Sequence, residues 1–224
     1  MRIDTLAVVG VGLIGGSIGL AARRHGAACR VVGVDGRSEA LRRALALGAL
    51  DEAAPDLCTA AAAADVIMFC TPVDAIAAGV LEAAPVCRLG TLLTDAGSTK
   101  AALVRAVDGK LPLGVAFVGG HPLAGSEKQG PDHAAADMFE GRLTVLTRTR
   151  QTDDNALSRA AALWEALGAR VRVMDPDEHD RAVATTSHLP HLAASSLAAV
   201  TPPEWLGLTA GGFRDATRVA AGGP

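Results

Sequence analysis

The run Leu6-Ala7-Val8-Val9-Gly10-Val11-Gly12-Leu13-Ile14-Gly15 constrains this chain more than any other stretch. Four apolar residues suit a strand buried on both faces of a sheet. Three spaced glycines follow at once, and the pattern from Leu13 to Arg24 predicts a helix. Strand, G-x-G-x-x-G and helix together open a βαβ unit built to hold a dinucleotide. Gly10 permits the tight turn, Gly12 lets backbone approach a pyrophosphate, and Gly15 lets helix pack on strand. Leu13 and Ile14 begin the helix, whose N-terminal N–H groups and positive dipole end attract phosphate. A second strand, Arg30–Val34, leads into Asp35, 20 residues past Gly15, where a ribose 2′-hydroxyl partner is expected. A carboxylate there would repel a 2′-phosphate, so the expected cofactor is NAD. Arg37 complicates this, since an arginine at that place could accept the phosphate.

A signal peptide or membrane span is the competing reading of the same stretch, because Thr5–Ala22 is largely apolar. Five of those 18 positions are glycine, which weakens a free helix and suits a phosphate loop. Only Arg2 precedes the stretch, followed by Asp4, and no cleavage pattern stands out. A formal charge of −3 argues against nucleic acid or an anionic membrane as partner. The four cysteines, Cys29, Cys58, Cys70 and Cys87, form no CxxC pair, so no metal site is expected. A reducing, cytoplasmic location is the simplest reading. The chain has no tyrosine, which excludes dehydrogenases whose general acid is a Tyr assisted by Lys.

Further strands are expected at Val66–Cys70, Thr91–Thr94, Val115–Val118, Leu143–Thr147 and Val171–Met174, with helices between most of them. Ser38 is expected to cap a helix running to Leu47 and stopped by Gly48. Ala60–Ala64 reads as a short helix, Val73–Ala84 as a longer one, and Thr152–Gly168 as a capped helix with Trp164 in the core. The alternation implies an α/β fold with a doubly wound, mostly parallel, Rossmann-type sheet. Thr71-Pro72, Ser98 and His121 all follow the carboxyl ends of strands, where ligands bind in open sheets, so one crevice should gather them. From Pro176 the pattern is helical and alanine-rich to Val200, and Pro190 inside it should kink or break the helix. Thr201-Pro202-Pro203 is a boundary, and a last helix should hold Phe213–Val219. The expected domains are 1–174, binding the cofactor, and 175–224, a short helical segment for substrate binding and dimerisation.

Six blocks carry a resemblance to a known family: GVGLIGGSIGLA from Gly10, CTPV from Cys70, DAGSTK from Asp95, GGHPLAGSEKQG from Gly119, SHLPH from Ser187 and GGFRDATR from Gly211. In this order and combination the chain resembles the prephenate/arogenate dehydrogenases of tyrosine biosynthesis. The first block is shared by many dehydrogenases; the histidine loop, SHLPH and GFRDATR are far more specific. The resemblance implies oxidative decarboxylation of prephenate or arogenate with NAD, and a homodimer. It also implies several further helices downstream, whereas this chain ends six residues after Arg218.

The family chemistry needs one proton removed, one hydride positioned and carboxylates oriented. Histidine, with its ordinary pKa of about 6.5, suits proton acceptance at neutral pH. The resemblance gives that role to His121, with Ser98 sharing the hydrogen bond to the reacting hydroxyl. Ser98 alone would read as the N-cap of a helix beginning at Thr99. His188 and Arg218 are implied in substrate binding, Arg218 by a planar fork matched to carboxylate. Arg214 stands where family members can carry lysine, and Glu127 is expected to order its loop or pair with an arginine. His188 and His191 lie three apart, but no third ligand suggests a metal. Lys100 and Lys128 read as surface or loop residues. Two rivals remain open: a β-hydroxyacid-type dehydrogenase using Lys100 as acid/base, and an inactive nucleotide-binding module.

Overall fold

The computed structural model describes residues 3–221. The chain divides into two compact units, the first ending at His179 and the second beginning at Asp180. In chain order the first unit begins β1 (Ile3–Val9), α1 (Leu13–His25), β2 (Ala28–Val34), α2 (Ser38–Ala46), β3 (Glu52–Ala53), α3 (Leu57–Ala63), β4 (Val66–Phe69) and α4 (Val73–Ala83). It continues with β5 (Leu92–Asp95), α5 (Ala101–Val107), β6 (Ala116–Val118), β7 (Gly120–Pro122), β8 (Leu143–Thr147), α6 (Asp154–Ala166) and β9 (Arg170–Met174), and α7 (Pro176–Val183) follows.

Six parallel strands form the main sheet in the order β3-β2-β1-β4-β5-β6. The chain order reverses at β1 and β4, the switch point where such sheets open a binding crevice. Side chains alternate across the sheet, as the period of a strand requires. Leu6, Val8, Val66 and Met68 point into a core shared with Ile18 of α1 and Leu163 and Trp164 of α6. Ala7, Val9, Ile67 and Phe69 point into the opposite core, against Ile76 and Val80 of α4 and Val104 of α5. All of β4 is buried, which is why Val66-Ile67-Met68-Phe69 reads as a continuous apolar run.

One expected feature of the sheet needs correction. The strands near residues 143 and 171 do not extend it. β7, β8 and β9 form a separate three-stranded sheet, antiparallel between β7 and β8 and parallel between β8 and β9. His121 therefore sits within a strand, opposite Val145, rather than on a loop. Local signals were also misplaced at helix starts. Arg37, not Ser38, occupies the cap position of α2, and no side chain caps it. Asp153, not Thr152, caps α6 by accepting from the Ala156 N–H. Trp164 is fully buried, packed edge-on against Phe139, as a core residue should be.

The second unit is helical by itself: a π turn at Ala184–His188, α8 (Leu189–Val200), a 3-10 turn at Pro203–Leu208, α9 (Gly211–Thr217) and a 3-10 turn at Arg218–Ala221. Pro190 neither breaks nor ends the helical run. It occupies the first turn of α8, and the widened π turn before it absorbs the missing N–H. α8 ends at Thr201-Pro202-Pro203, as expected. Among the described residues no helix is long and apolar enough to cross a membrane.

Candidate active site

The glycine loop leaves β1 at Gly10, whose φ of 89° is open chiefly to glycine. A Cβ on Gly15 would lie 2.1 Å from the Gly10 carbonyl oxygen, so helix and loop can meet only without one. Gly12, by contrast, faces open space and caps the 13-residue α1 with no side-chain hydrogen bond. Beside it a cleft of about 370 Å³ is lined by Val9, Gly10, Gly12, Val34, Asp35, Gly36, Arg37, Cys70, Thr71 and Pro72. Asp35 accepts hydrogen bonds at both of its oxygens. Its Oδ2 accepts the Val11 N–H at 2.8 Å, tying the end of β2 to the glycine loop. Its Oδ1 accepts from the Arg37 N–H and Nε–H at 2.9 and 3.1 Å. Burial pushes the Asp35 carboxyl up, but the Arg37 side chain and the two backbone N–H groups outweigh it and hold it below its usual range. Arg37 is thus partnered by Asp35 while its side chain stays largely exposed.

A second cleft, about 490 Å³, shares Cys70, Thr71 and Pro72 with the first and is lined further by Leu13, Ile14, Ala96, Ser98, His121, Pro122 and Ser126. The expected convergence of Thr71, Ser98 and His121 is therefore realised, at the carboxyl ends of β4 and β5 and on β7. Thr71 Oγ1 is buried without a hydrogen-bond partner at the junction of the two clefts. Such an orphaned hydroxyl in a cleft suits a ligand amide or phosphate. Ser98 is exposed and does not cap α5, which begins at Ala101 after Lys100. Its hydroxyl is left to the cleft. His121 is half-buried, and its Nδ1 lies 2.9 Å from Nε2 of His179, a fully buried residue of α7.

Beneath this cleft lies an ion pair that the sequence reading did not anticipate. Lys100 is not a surface residue: its side chain and that of Asp95 are wholly buried, and Lys100 Nζ donates to Asp95 Oδ2. The same carboxylate accepts the Gly97 N–H at 2.8 Å and the Gly120 N–H at 2.9 Å. Burial pushes the Asp95 carboxyl up, against the pull of Lys100 and the two N–H donors. Asp95 thereby clamps the loop bearing Ser98 to the strand bearing His121. The approach is so close that a Cβ on Gly120 would lie 2.6 Å from the Asp95 carbonyl oxygen. A Cβ on Gly119 would lie 2.5 Å from Thr147 Oγ1, so both positions before His121 favour glycine. An ammonium tied up in this way does not line either cleft, which removes the acid/base that the β-hydroxyacid reading required.

Other expected site residues are placed differently. Glu127 is exposed beyond Ser126, lines neither cleft, and makes no ion pair among the described residues. Lys128 is exposed, as expected. His188, Arg214 and Arg218 belong to the second unit: His188 ends the π turn, Arg214 lies in α9, and Arg218 opens the turn that packs on α8. All three are exposed. His191 is exposed too, 3.4 Å from Ser195 Oγ, and no cluster of metal ligands occurs among the described residues. His179 and Asp95 are the residues that sequence reasoning missed. An acid ending an apolar strand pattern signals a buried charge in want of a partner. His179 carries no such signal, since its neighbour arrives from 58 positions away.

Comparison with known proteins gives the arrangement its context. Residues 18–173 match the family model described as prephenate dehydrogenase, nucleotide-binding domain, and residues 175–224 match prephenate dehydrogenase, dimerization domain. A prephenate dehydrogenase of Bacillus subtilis is 37% identical over 228 residues, which take in 99% of this chain and 62% of that protein. A cyclohexadienyl dehydrogenase of Zymomonas mobilis is 37% identical over 98% of this chain and 77% of its own length. The crystal structure of prephenate dehydrogenase from A. aeolicus, in complex with hydroxyphenyl propionate and NAD+, superimposes with a TM-score of 0.90 at 32% identity, covering 100% of this chain and 80% of that one. The chain spans under two thirds of the B. subtilis relative, yet the matches cover both of its units, and it belongs to the prephenate dehydrogenase family.

Proposed function

We propose that this chain catalyses the NAD-dependent oxidative decarboxylation of prephenate or arogenate, giving 4-hydroxyphenylpyruvate or tyrosine, the reaction of tyrosine biosynthesis that its family membership suggests. The observation that carries the reading is the second cleft. It puts His121 and Ser98 beside the start of α1 and next to the cleft holding Asp35. The two clefts join at Thr71 and Pro72, so a dinucleotide could run from one to the other. Gly10, Gly12 and Gly15 leave room for its pyrophosphate at the N–H groups of Leu13 and Ile14. Asp35 would take the adenosine ribose, with Arg37 drawn aside by its own carboxylate partner. When bound, NAD supplies the hydride acceptor. The A. aeolicus relative holds NAD+ in its crystal structure, which supports the same choice here.

The chain's own residues then have defined tasks. His121 accepts the proton of the ring hydroxyl through Nε2, and Ser98 shares that hydrogen bond and aims the hydroxyl. Loss of the ring carboxylate as carbon dioxide leaves its electron pair to complete the aromatic ring. The phenolic oxygen then takes a proton back from His121, so the histidine ends the cycle as it began. Arg218 and His188 bind substrate carboxylate groups; Arg218 is exposed and makes no ion pair among the described residues. Arg214 and Glu127 have weaker claims to the same task. Domains of 1–174 and 175–224 divide the work between cofactor and substrate or dimer contacts.

A homodimer is part of the same reading. Leu189, Leu192, Val200, Trp205, Leu206 and Leu208 are more than half exposed on the second unit, a large apolar surface for water to cover. The description of the matched dimerization domain supports this. Four free cysteines suit a cytoplasmic enzyme. The test is NADH formation, followed by absorbance, with prephenate and then arogenate. Turnover of either establishes the reading and sets the side-chain preference. Binding of NAD with no turnover of either, by a folded protein, would leave the inactive nucleotide-binding module as the better account.

A further inference from the structure

His179 is fully buried near the start of α7, where its N–H donates to the Asp175 carbonyl at 2.9 Å. Its Nε2 lies 2.9 Å from His121 Nδ1, with the rings edge-on at 75°. Two imidazole nitrogens at this distance share one proton. Two lone pairs would repel, and so would two N–H groups. Two arrangements satisfy the contact. In one, His121 Nδ1–H donates and its Nε2 carries no proton. In the other, His179 Nε2–H donates, His121 carries its proton on Nε2, and it cannot act as a base. The hydrogen bond made at one ring nitrogen decides the state of the other.

We propose that His179 is a positioning residue that holds His121 in its Nδ1–H form, so that the unprotonated Nε2 is the atom that accepts the substrate proton. The inference rests on His121 being the base. It assigns to an imidazole the task that a carboxylate performs in a Ser-His-Asp triad. When His121 takes a proton on Nε2, its Nδ1–H keeps the bond only if His179 Nε2 is bare. The backbone of His121 is already fixed by pairing with Val145, so His179 settles what remains, the rotation and tautomer of the ring. The ionisable groups nearby are Asp95, which accepts the Gly120 N–H, its partner Lys100, and Asp175, Glu178 and Asp180, neighbours of His179 along the chain.

The test compares His179→Leu, which removes the acceptor, with His179→Gln, whose Oε1 can still accept from His121 Nδ1. Side-chain ¹⁵N NMR of the ligand-free protein should show neutral His121 protonated on Nδ1, and a mixture of tautomers in His179→Leu. The kcat should fall roughly 10–100-fold in His179→Leu with KM changed less than about twofold, and recover to within a few-fold in His179→Gln. The rising limb of kcat/KM against pH should move in the leucine variant and return in the glutamine one. A wild-type His121 protonated on Nε2 would overturn the proposal. So would a leucine variant with normal kcat and an unmoved pH profile. If His179→Leu fails to fold, the wild-type tautomer and the glutamine variant still decide. His121→Asn keeps the two readings apart: an active His121→Asn protein refutes the base itself, whereas an inactive one beside a normal His179→Leu refutes only the role of His179.

Discussion

Replacing Lys100 with methionine should expose how much the clamp under the active site depends on a buried charge pair. Methionine matches the length and most of the volume of lysine, so packing loss is small, and what changes is the charge beside Asp95. Both side chains are fully buried, so water cannot take the place of the ammonium. Breaking such a pair costs about 3–5 kcal/mol. The carboxyl has one escape, which is to take up a proton. From its unperturbed value of 3.8, protonation at pH 7 costs about 4 kcal/mol at ~1.4 per unit, and at pH 5.5 about 2. The penalty should thus stay near 4 kcal/mol at pH 7 and shrink by about half at pH 5.5. The sign follows from the direction of the shift. Without Lys100, burial raises the folded-state value of Asp95 further above 3.8. The associated stability is full below 3.8 and is lost as pH rises through the folded value. The difference between variant and wild type should therefore narrow on acidification. Urea unfolding can be followed through Trp164, which is fully buried, in a Trp205→Phe background that removes the exposed second tryptophan. On heating, the loss corresponds to about 6–20 °C in Tm for a chain of this size. Asp95→Asn combined with Lys100→Met should recover much of it, since no charge is left unpaired. A single variant within about 0.5 kcal/mol of wild type, or a loss indifferent to pH, would refute the reasoning.

Three further outcomes are expected. His121→Asn should lower kcat by roughly 10²–10⁴-fold with KM little changed, whereas Arg218→Ala should chiefly raise KM, because the first acts on proton transfer and the second on a carboxylate bound throughout; steady-state kinetics reading the opposite split would count against both assignments. Asp35→Asn keeps an acceptor for the Val11 N–H but frees Arg37 from its charge partner, so titration should show the NAD-over-NADP preference reduced by about tenfold, or ~1.4 kcal/mol, and an unchanged ratio would remove Asp35 from cofactor choice. Light scattering at micromolar concentration should find a dimer, which Leu192→Asp and Leu208→Asp together should weaken; a stable wild-type monomer would leave the exposed apolar residues of the second unit without that explanation.

The sheet, its switch point and most of its helices were legible because each depends on signals within a short stretch. The apolar run before Gly10, the three glycines and Asp35 belong to one βαβ unit, and the cleft that contains them needs little else. The gathering of Thr71, Ser98 and His121 also followed from a local rule, that ligands meet the carboxyl ends of strands. Failures fell where a residue's surroundings come from far along the chain. Ser38, Ser98 and Thr152 have the chemistry of helix caps, but side-chain hydroxyls compete weakly with the path the tertiary structure imposes. Pro190 looked like a break and became the first turn of a helix. The strands near 143 and 171 matched their expected places and still joined a different sheet, because register and partner are set by burial and not by strand propensity.

By itself the sequence determined the Rossmann-type layout and the glycine cradle, since both rest on residue type and spacing within one supersecondary unit, and the block around His121 singled that histidine out through its resemblance to a family. Only the tertiary structure decided the surroundings of that histidine. Lys100 looks like any solvated lysine until β5 and β7 close over it. Then desolvation makes its pairing with Asp95 obligatory, and that pairing ties Gly97 to Gly120. His179 looks like one more helix residue until α7 brings it within 2.9 Å of His121. A charge or a tautomer is an energy in a given environment, and that environment does not exist until distant segments pack.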